Sequence, residues 1–337
     1  MFNKSKIEWC DFSWNPVTGC KHDCEYCYAA KQIKRFSGDV RLNKSSYQLK
    51  KDKNGLYILD KPFKNPISGK VIPDPVGFEP IMHKYRLAMP AQKKKPAKIF
   101  ACSMADLFGD WVLDEWIEKV FKACSDAPWH TYMFLTKNPL RYMNLAEKGI
   151  IRAKDNFWYG STITNQSDYE ARVPELIYLS QKHNICNTFF SIEPLQGEIS
   201  MGLMPPWIII GAETGNRKNK VLPQREWIEN IVFSCVDEVV FMKNNLKSIW
   251  KEDLIQEWPS GMPIDKGNDI PRCKNCKNHT TIQEGKRGER HECKIGWEST
   301  GREDWGDRHV MGKDARTSPL WCLVRKEEGA ITLERNK

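Results

Sequence analysis

No apolar run in this sequence approaches the ~20 residues that span a bilayer. The opening stretch MFNKSKIEWCDFSW also has no hydrophobic signal-peptide core. These two absences predict a cytoplasmic protein with no membrane partner. Apolar material is not scarce: 40% of the 337 residues are hydrophobic and 28% charged, which excludes wholesale disorder. That length suffices for one large domain and a small one. A strong charge imbalance is missing too. Fifty-two Lys and Arg against 43 Asp and Glu leave a formal +9, an excess that suits an anionic partner such as nucleic acid without requiring one. The basic runs KKKPAK (93–98) and KKDK (50–53), with Pro and Asn neighbours, read first as solvated loops.

What is present in quantity is cysteine, twelve in all. In a reducing compartment clustered cysteines bind metal or do chemistry. Cys20, Cys24 and Cys27 form one cluster, and Cys273, Cys276, Cys293 and Cys322 a second. Cys10, Cys102, Cys124, Cys186 and Cys235 are scattered, as small buried side chains would be.

Between the clusters the chain acquires a rhythm. Short apolar runs over 98–104, 131–137, 157–164, 187–195, 207–213 and 238–244 predict strands. Helical periodicity over 28–37, 114–127, 139–148, 168–182 and 225–237 predicts helices, the third with a Pro at its first turn. Strands apolar throughout, separated by amphipathic helices, predict a parallel sheet covered by helices. So many repeats favour an open or closed barrel over a flat doubly wound sheet. Residues 38–97, rich in Pro, Gly and Lys, read as an irregular insertion with one hairpin. Several strands end in polar residues: CSMAD, FLTKN, STITNQ, SIEP and GAETG. In parallel β/α folds, sites lie at the C-terminal ends of strands, so these endings point to one shared mouth.

The first cluster has the spacing C-x3-C-x2-C and lacks a fourth cysteine. Four thiolates close a structural zinc site or complete an iron–sulfur cluster. Three leave one iron of a [4Fe–4S] cluster without a protein ligand, open for chemistry. Two alternatives stand beside this: a zinc site completed by His22 or Cys10, and a redox-active thiol pair. Cys20, Cys24, Tyr26 and Cys27 together match C-x3-C-x-aromatic-C. In this the chain resembles the radical S-adenosylmethionine superfamily.

The resemblance implies a partial (β/α) barrel and an enzyme. Cys20, Cys24 and Cys27 would ligate the cluster, whose free iron binds S-adenosylmethionine. Reductive cleavage would then give a 5′-deoxyadenosyl radical. Tyr26 would pack near the adenine. Ser103 and Asp106 would hold the methionine amino group or the ribose. Ile209, Gly211 and Glu213 stand at the adenosine-contacting late strand, and Glu193, Lys137 and Asn165 would face the mouth. Over residues 7–246 the elements IEWCDFSWNPVTGC, CSMADLFGD, FLTKNP, GSTITNQ, SIEPLQG and WIIIGAETG resemble a phage-encoded branch of the superfamily. That branch implies an electron donor and a partner protein encoded nearby. The compact cysteine spacing is also similar to that of spore photoproduct lyase, a DNA-repair enzyme, which hints at a nucleic-acid or nucleotide substrate.

From residue 264 the periodicity fades. Residues 1–263 are therefore read as the barrel, and 264–337 as a small cysteine-rich module. Cys273-x2-Cys276-x16-Cys293-x28-Cys322 is similar to a zinc ribbon, with His279 and His291 as alternative ligands. An auxiliary [4Fe–4S] cluster, or no metal, are the other readings. Two further function classes remain: a metal-stabilised nucleic-acid-binding protein with a silent barrel, and an iron–sulfur electron-transfer or sensing protein.

Overall fold

The computed structural model describes residues 3–260 and 262, together with the backbone of 279–283, 289–293 and 310–311. The chain divides into two units, Met1–Ile249 with Gln256–Pro263, and Trp250–Ile255 with Ile264–Lys337.

In chain order the first unit contains strands β1 (Asn3–Lys4), β2 (Phe12–Trp14) and β3 (Val17–Thr18), then helices α1 (Tyr28–Phe36) and α2 (Val40–Lys44). Strands β4 (Lys50–Lys51), β5 (Tyr57–Leu59) and β6 (Ile81–His83) and helix α3 (Met89–Gln92) follow. The regular alternation begins with β7 (Lys98–Ala101), α4 (Asp114–Ser125), β8 (Thr131–Thr136), α5 (Leu140–Glu147), β9 (Phe157–Thr162) and α6 (Gln166–His183). It ends with β10 (Thr188–Ile192), β11 (Trp207–Ile210), α7 (Arg225–Ser234) and β12 (Val239–Met242).

The main sheet has the order β1-β2-β7-β8-β9-β10-β11-β12. Its seven strands from β2 to β12 are parallel, and β1 pairs antiparallel at the edge. Each parallel strand lies beside the one before it, as an unclosed barrel requires. Side chains alternate between the two faces. Met133, Trp158, Phe189, Trp207, Ile209 and Phe241 pack together with Trp9 on the inner face. Phe121 of α4 stacks on Phe134 of β8 at 4.6 Å between ring centres, covering the outer face. Gly160 makes room on the inner face, because a Cβ there would stand 2.4 Å from the Phe189 ring.

The two sheet edges meet through side chains. Trp9, just before β2, lies 6.1 Å from Trp207 of β11. Glu8 accepts from the Asn244 backbone N–H beyond β12 at 3.1 Å. Trp258 donates its indole N–H to the Trp9 carbonyl at 3.2 Å. The six expected strands and five expected helices are all present. Strand β2, which starts the parallel series, was not expected.

Residues 38–97 are not irregular. They contribute α2, α3 and three strands of a second sheet, β3-β6-β5-β4, with its own core of Leu59, Phe63, Ile72, Val76 and Ile81. The expected hairpin is β4–β5. Its strands are only two or three residues long, too short for a visible period.

In the second unit His279–Gln283, Glu289–Cys293 and Val310–Met311 form a three-stranded antiparallel sheet. His279, His291 and Cys293 fall on its strands. Cys273, Cys276 and Cys322, and with them the expected metal framework, lie outside the described residues. No helix among the described residues is long and apolar enough to cross a membrane.

Candidate functional site

The cysteine loop leaves β3 through Gly19, whose φ of +91° only glycine adopts without strain. A Cβ there would lie 2.1 Å from the Glu79 carbonyl oxygen. The next residue, Cys20, donates its N–H to the Phe78 carbonyl at 3.1 Å, tying the loop to the inserted sheet. Cys27 N–H donates to the Cys24 carbonyl at 3.0 Å, closing a turn. Cys27 then caps α1, its Sγ accepting from Ala30 N–H at 3.3 Å.

Cys20, Cys24 and Cys27 line one wall of a cavity of about 360 Å³. The residues that follow β7, β8, β10, β11 and β12 line the rest: Ser103 and Asp106, Lys137, Glu193, Ala212 to Thr214, and Lys243. The cavity therefore stands at the C-terminal ends of the parallel strands, over the aromatic inner core. Its floor includes Trp9, Phe100 and Leu135.

Asp106 joins the loop to the barrel. Its Oδ1 accepts from Thr136 Oγ1 at 2.8 Å and from Phe108 N–H at 3.0 Å. Its Oδ2 accepts from Lys137 N–H at 2.9 Å and from His22 Nε2 at 2.7 Å. Both oxygens are thus engaged by protein donors. His22 lines the cavity beside the three thiols, its Nε2 committed to Asp106 and its ring 4.9 Å from that of Trp111. Cys10, the other candidate fourth ligand, packs in the inner core.

Lys137 hydrogen-bonds the Tyr26 hydroxyl, and its Nζ lies 4.5 Å from the Tyr26 ring centre. Burial works against the ammonium, but the tyrosine and the nearby Cys24 outweigh it and hold the lysine pKa above its usual value. Burial pushes the Cys20 thiol up to about 11. Lys243, 8% exposed, pairs with Glu193 and stands 3.7 Å from Glu8. Burial again opposes the charge, and the two carboxylates overcome it, raising the lysine pKa. Glu213 accepts two 2.8 Å hydrogen bonds from Arg217, which also reaches Glu25 in the cysteine loop at 3.1 Å.

The structure thus gathers Cys20, Cys24, Cys27, Tyr26, Ser103, Asp106, Lys137, Glu193 and Glu213 around one space. It leaves three expected residues off the wall. Ile209 is in the inner core. Asn165 caps α6, accepting from Asp168 N–H at 3.0 Å. Gly211 provides clearance: a Cβ would stand 2.9 Å from Lys243 Cδ and 3.2 Å from Glu193 Cγ. Lys243 was missed. Its signal was a lysine directly after the apolar run Val239–Met242, the same signal that marked Glu193 and Glu213. Thr162 and Ser191, also lining, carry no such signal, being ordinary strand residues.

Among the described residues no three His, Cys, Asp or Glu side chains are grouped around a single metal-ion position. Three thiols without a fourth are a donor set that a polynuclear iron–sulfur cluster would accept.

Among solved structures, this chain is similar to spore photoproduct lyase. A double mutant with bound AdoMet and dinucleoside spore photoproduct is 9% identical, with a TM-score of 0.40. The enzyme complexed with dinucleoside spore photoproduct is 10% identical, with a TM-score of 0.39. Each match covers 92% of this chain and 75% of the other. No curated protein matches. None of these matches bears on a phage origin or on a metal in residues 264–337. A family model matches residues 4–256, and the chain belongs to that family, "Protein of unknown function (DUF5131)".

Proposed function

We propose that this protein is a radical S-adenosylmethionine enzyme whose Cys20, Cys24 and Cys27 hold a [4Fe–4S] cluster. The observation that carries this reading is the placement of all three thiols, in C-x3-C-x-Tyr-Cys order, on one wall of a cavity at the C-terminal mouth of a parallel barrel. When bound, the cluster would supply an electron that cleaves S-adenosylmethionine to a carbon radical.

The chain's own groups perform the supporting tasks. Gly19 and the Asp106–His22 contact fix the loop's path. Tyr26, held by Lys137, offers an aromatic wall. Glu193, Lys243 and Glu213, which line the cavity, would offer both signs of charge to an amino-acid zwitterion. Trp9, Phe100 and Leu135 keep the floor dry, which protects a reactive intermediate from water. We further propose that residues 264–337 bind zinc or a second cluster and that the substrate is a nucleic acid or nucleotide.

Anaerobic reconstitution with iron and sulfide, followed by dithionite and S-adenosylmethionine, tests the enzyme class. The wild-type protein should hold about four irons per cavity site and form 5′-deoxyadenosine. Cys24→Ala should lose both, whereas Cys124→Ala should lose neither. A Cys24→Ala protein with a full iron complement and undiminished 5′-deoxyadenosine overturns the reading.

A further inference from the structure

The charge of this protein is concentrated in one place. Residues 38–97 contain thirteen Lys and Arg against five Asp and Glu, a net +8 within a total of +9. Residues 266–337 add +4, so the rest of the chain is slightly acidic. The inserted segment is folded around its own core, so its charges are displayed on a fixed surface.

Two stretches lie side by side on that surface. Gln48 donates its side-chain N–H to the Lys64 carbonyl at 2.8 Å and accepts from Lys64 N–H at 2.9 Å. This sets Tyr47–Lys51 alongside the loop over 61–70. That loop closes on itself where Asn65 N–H donates to the Lys70 carbonyl at 2.8 Å. Lys61, Lys64 and Lys70 are exposed and make no ion pair among the described residues. Lys51 is exposed too, its Nζ 5.0 Å from the Tyr57 ring centre on the neighbouring strand. Beside them Tyr47 is 92% exposed. An aromatic ring left almost wholly in water, on a segment hydrogen-bonded to a loop of exposed lysines, offers the two kinds of group that single strands use. Phosphates meet the cations and a base stacks on the ring.

We infer that the inserted sheet is a binding platform for single-stranded nucleic acid, with Lys51, Lys61, Lys64 and Lys70 contacting phosphates and Tyr47 stacking a base. The platform adjoins the cavity through covalent and hydrogen-bonded links. Its strand β6 pairs with β3, which leads directly into Gly19 and Cys20, and Phe78 lines the cavity itself. The inference concerns binding alone and holds whatever chemistry the cavity performs.

Fluorescence anisotropy of the full-length protein with a labelled 20-nucleotide DNA or RNA single strand tests it. Four phosphate contacts give a slope of log affinity against log salt of about −3. The variant Lys61→Gln/Lys64→Gln/Lys70→Gln should bind at least about tenfold more weakly at low salt and flatten that slope by about 2. Tyr47→Ala should lose roughly tenfold in affinity while keeping the slope, because stacking releases no counterions. All four residues are exposed, so circular dichroism and melting should match the wild type. The inference is overturned if the wild type fails to bind at low salt or binds indifferently to salt. It is equally overturned if the triple variant binds as the wild type does, or if phosphatidylserine vesicles capture the protein while oligonucleotides do not.

Discussion

Replacing Asp106 by asparagine changes one oxygen to an NH2 and leaves the shape intact. In the native protein both oxygens accept, two donors each. Asparagine can keep only one such oxygen. If that oxygen stays with Thr136 and Phe108, the NH2 confronts the Lys137 N–H and the His22 ring. Asp106 is 6% exposed, so water cannot fully replace what is lost. A buried backbone N–H left without an acceptor costs about 1–3 kcal/mol. Exchanging charge-assisted for neutral hydrogen bonds at the other oxygen adds roughly 1 kcal/mol. Asp106→Asn should therefore lose about 2–4 kcal/mol in urea unfolding monitored by tryptophan fluorescence. Asp106→Ala, which abandons all four donors, should lose more. His22→Ala removes only the partly exposed donor and should cost about 1 kcal/mol. Because Asp106 joins the cysteine loop to β8, Asp106→Asn should also take up less iron on reconstitution. A stability within about 0.5 kcal/mol of wild type would refute the assignment of Asp106 as the buried link between loop and barrel.

Gly19→Ala should cost clearly more than Gly55→Ala. Both have positive φ, but only Gly19 faces an oxygen 2.1 Å from the added Cβ, while Gly55 has nothing within 4 Å. Strain alone is worth about 1–2 kcal/mol, so equal melting temperatures for the two variants would contradict the packing argument. Lys243→Met leaves Glu193 and Glu8 without their cation. With Glu193 about a fifth exposed, the expected loss is about 2–3 kcal/mol, less than for a fully enclosed pair. The double variant Lys243→Met/Glu193→Gln should recover about half of it, and a single variant as stable as wild type would exclude a stabilising pair. Hydrogen bonding from Arg217 holds the Glu213 carboxyl below its ordinary value of 4.5. That contribution to stability is present above pH 4.5 and is lost as the pH falls through the lower, folded-state pKa. Arg217→Ala should flatten this acid-range fall in urea midpoint, and an unchanged pH profile would show that the contact contributes nothing.

The barrel was legible because its strands are buried on both faces. WIII and TFFSI are apolar or β-branched almost throughout, and their separation by amphipathic helices leaves little freedom of topology. Strand β2 has no such signature because Phe12–Trp14 is only three residues long and is defined by its pairing with β1 and β7. The inserted sheet has no sequence signature for a related reason: Leu59, Phe63, Ile72, Val76 and Ile81 follow no period and meet only in three dimensions. At the site, the cysteine spacing and the polar residues ending apolar runs were visible, and they located most of the cavity wall. The roles were less visible than the positions. Asp106 anchors the loop through contacts 30 and more residues away, and Gly211 matters for what its absent side chain leaves room for. Neither fact has a local pattern to reveal it.

The most direct test of the central claim is electron paramagnetic resonance of the anaerobically reconstituted, dithionite-reduced protein, with and without S-adenosylmethionine. An open iron held by Cys20, Cys24 and Cys27 predicts a reduced-cluster signal whose shape changes when S-adenosylmethionine is added, and which is missing from Cys20→Ala, Cys24→Ala and Cys27→Ala alike. A spectrum that is the same with and without S-adenosylmethionine, or an S-adenosylmethionine-responsive signal that survives in the three variants, would contradict the account.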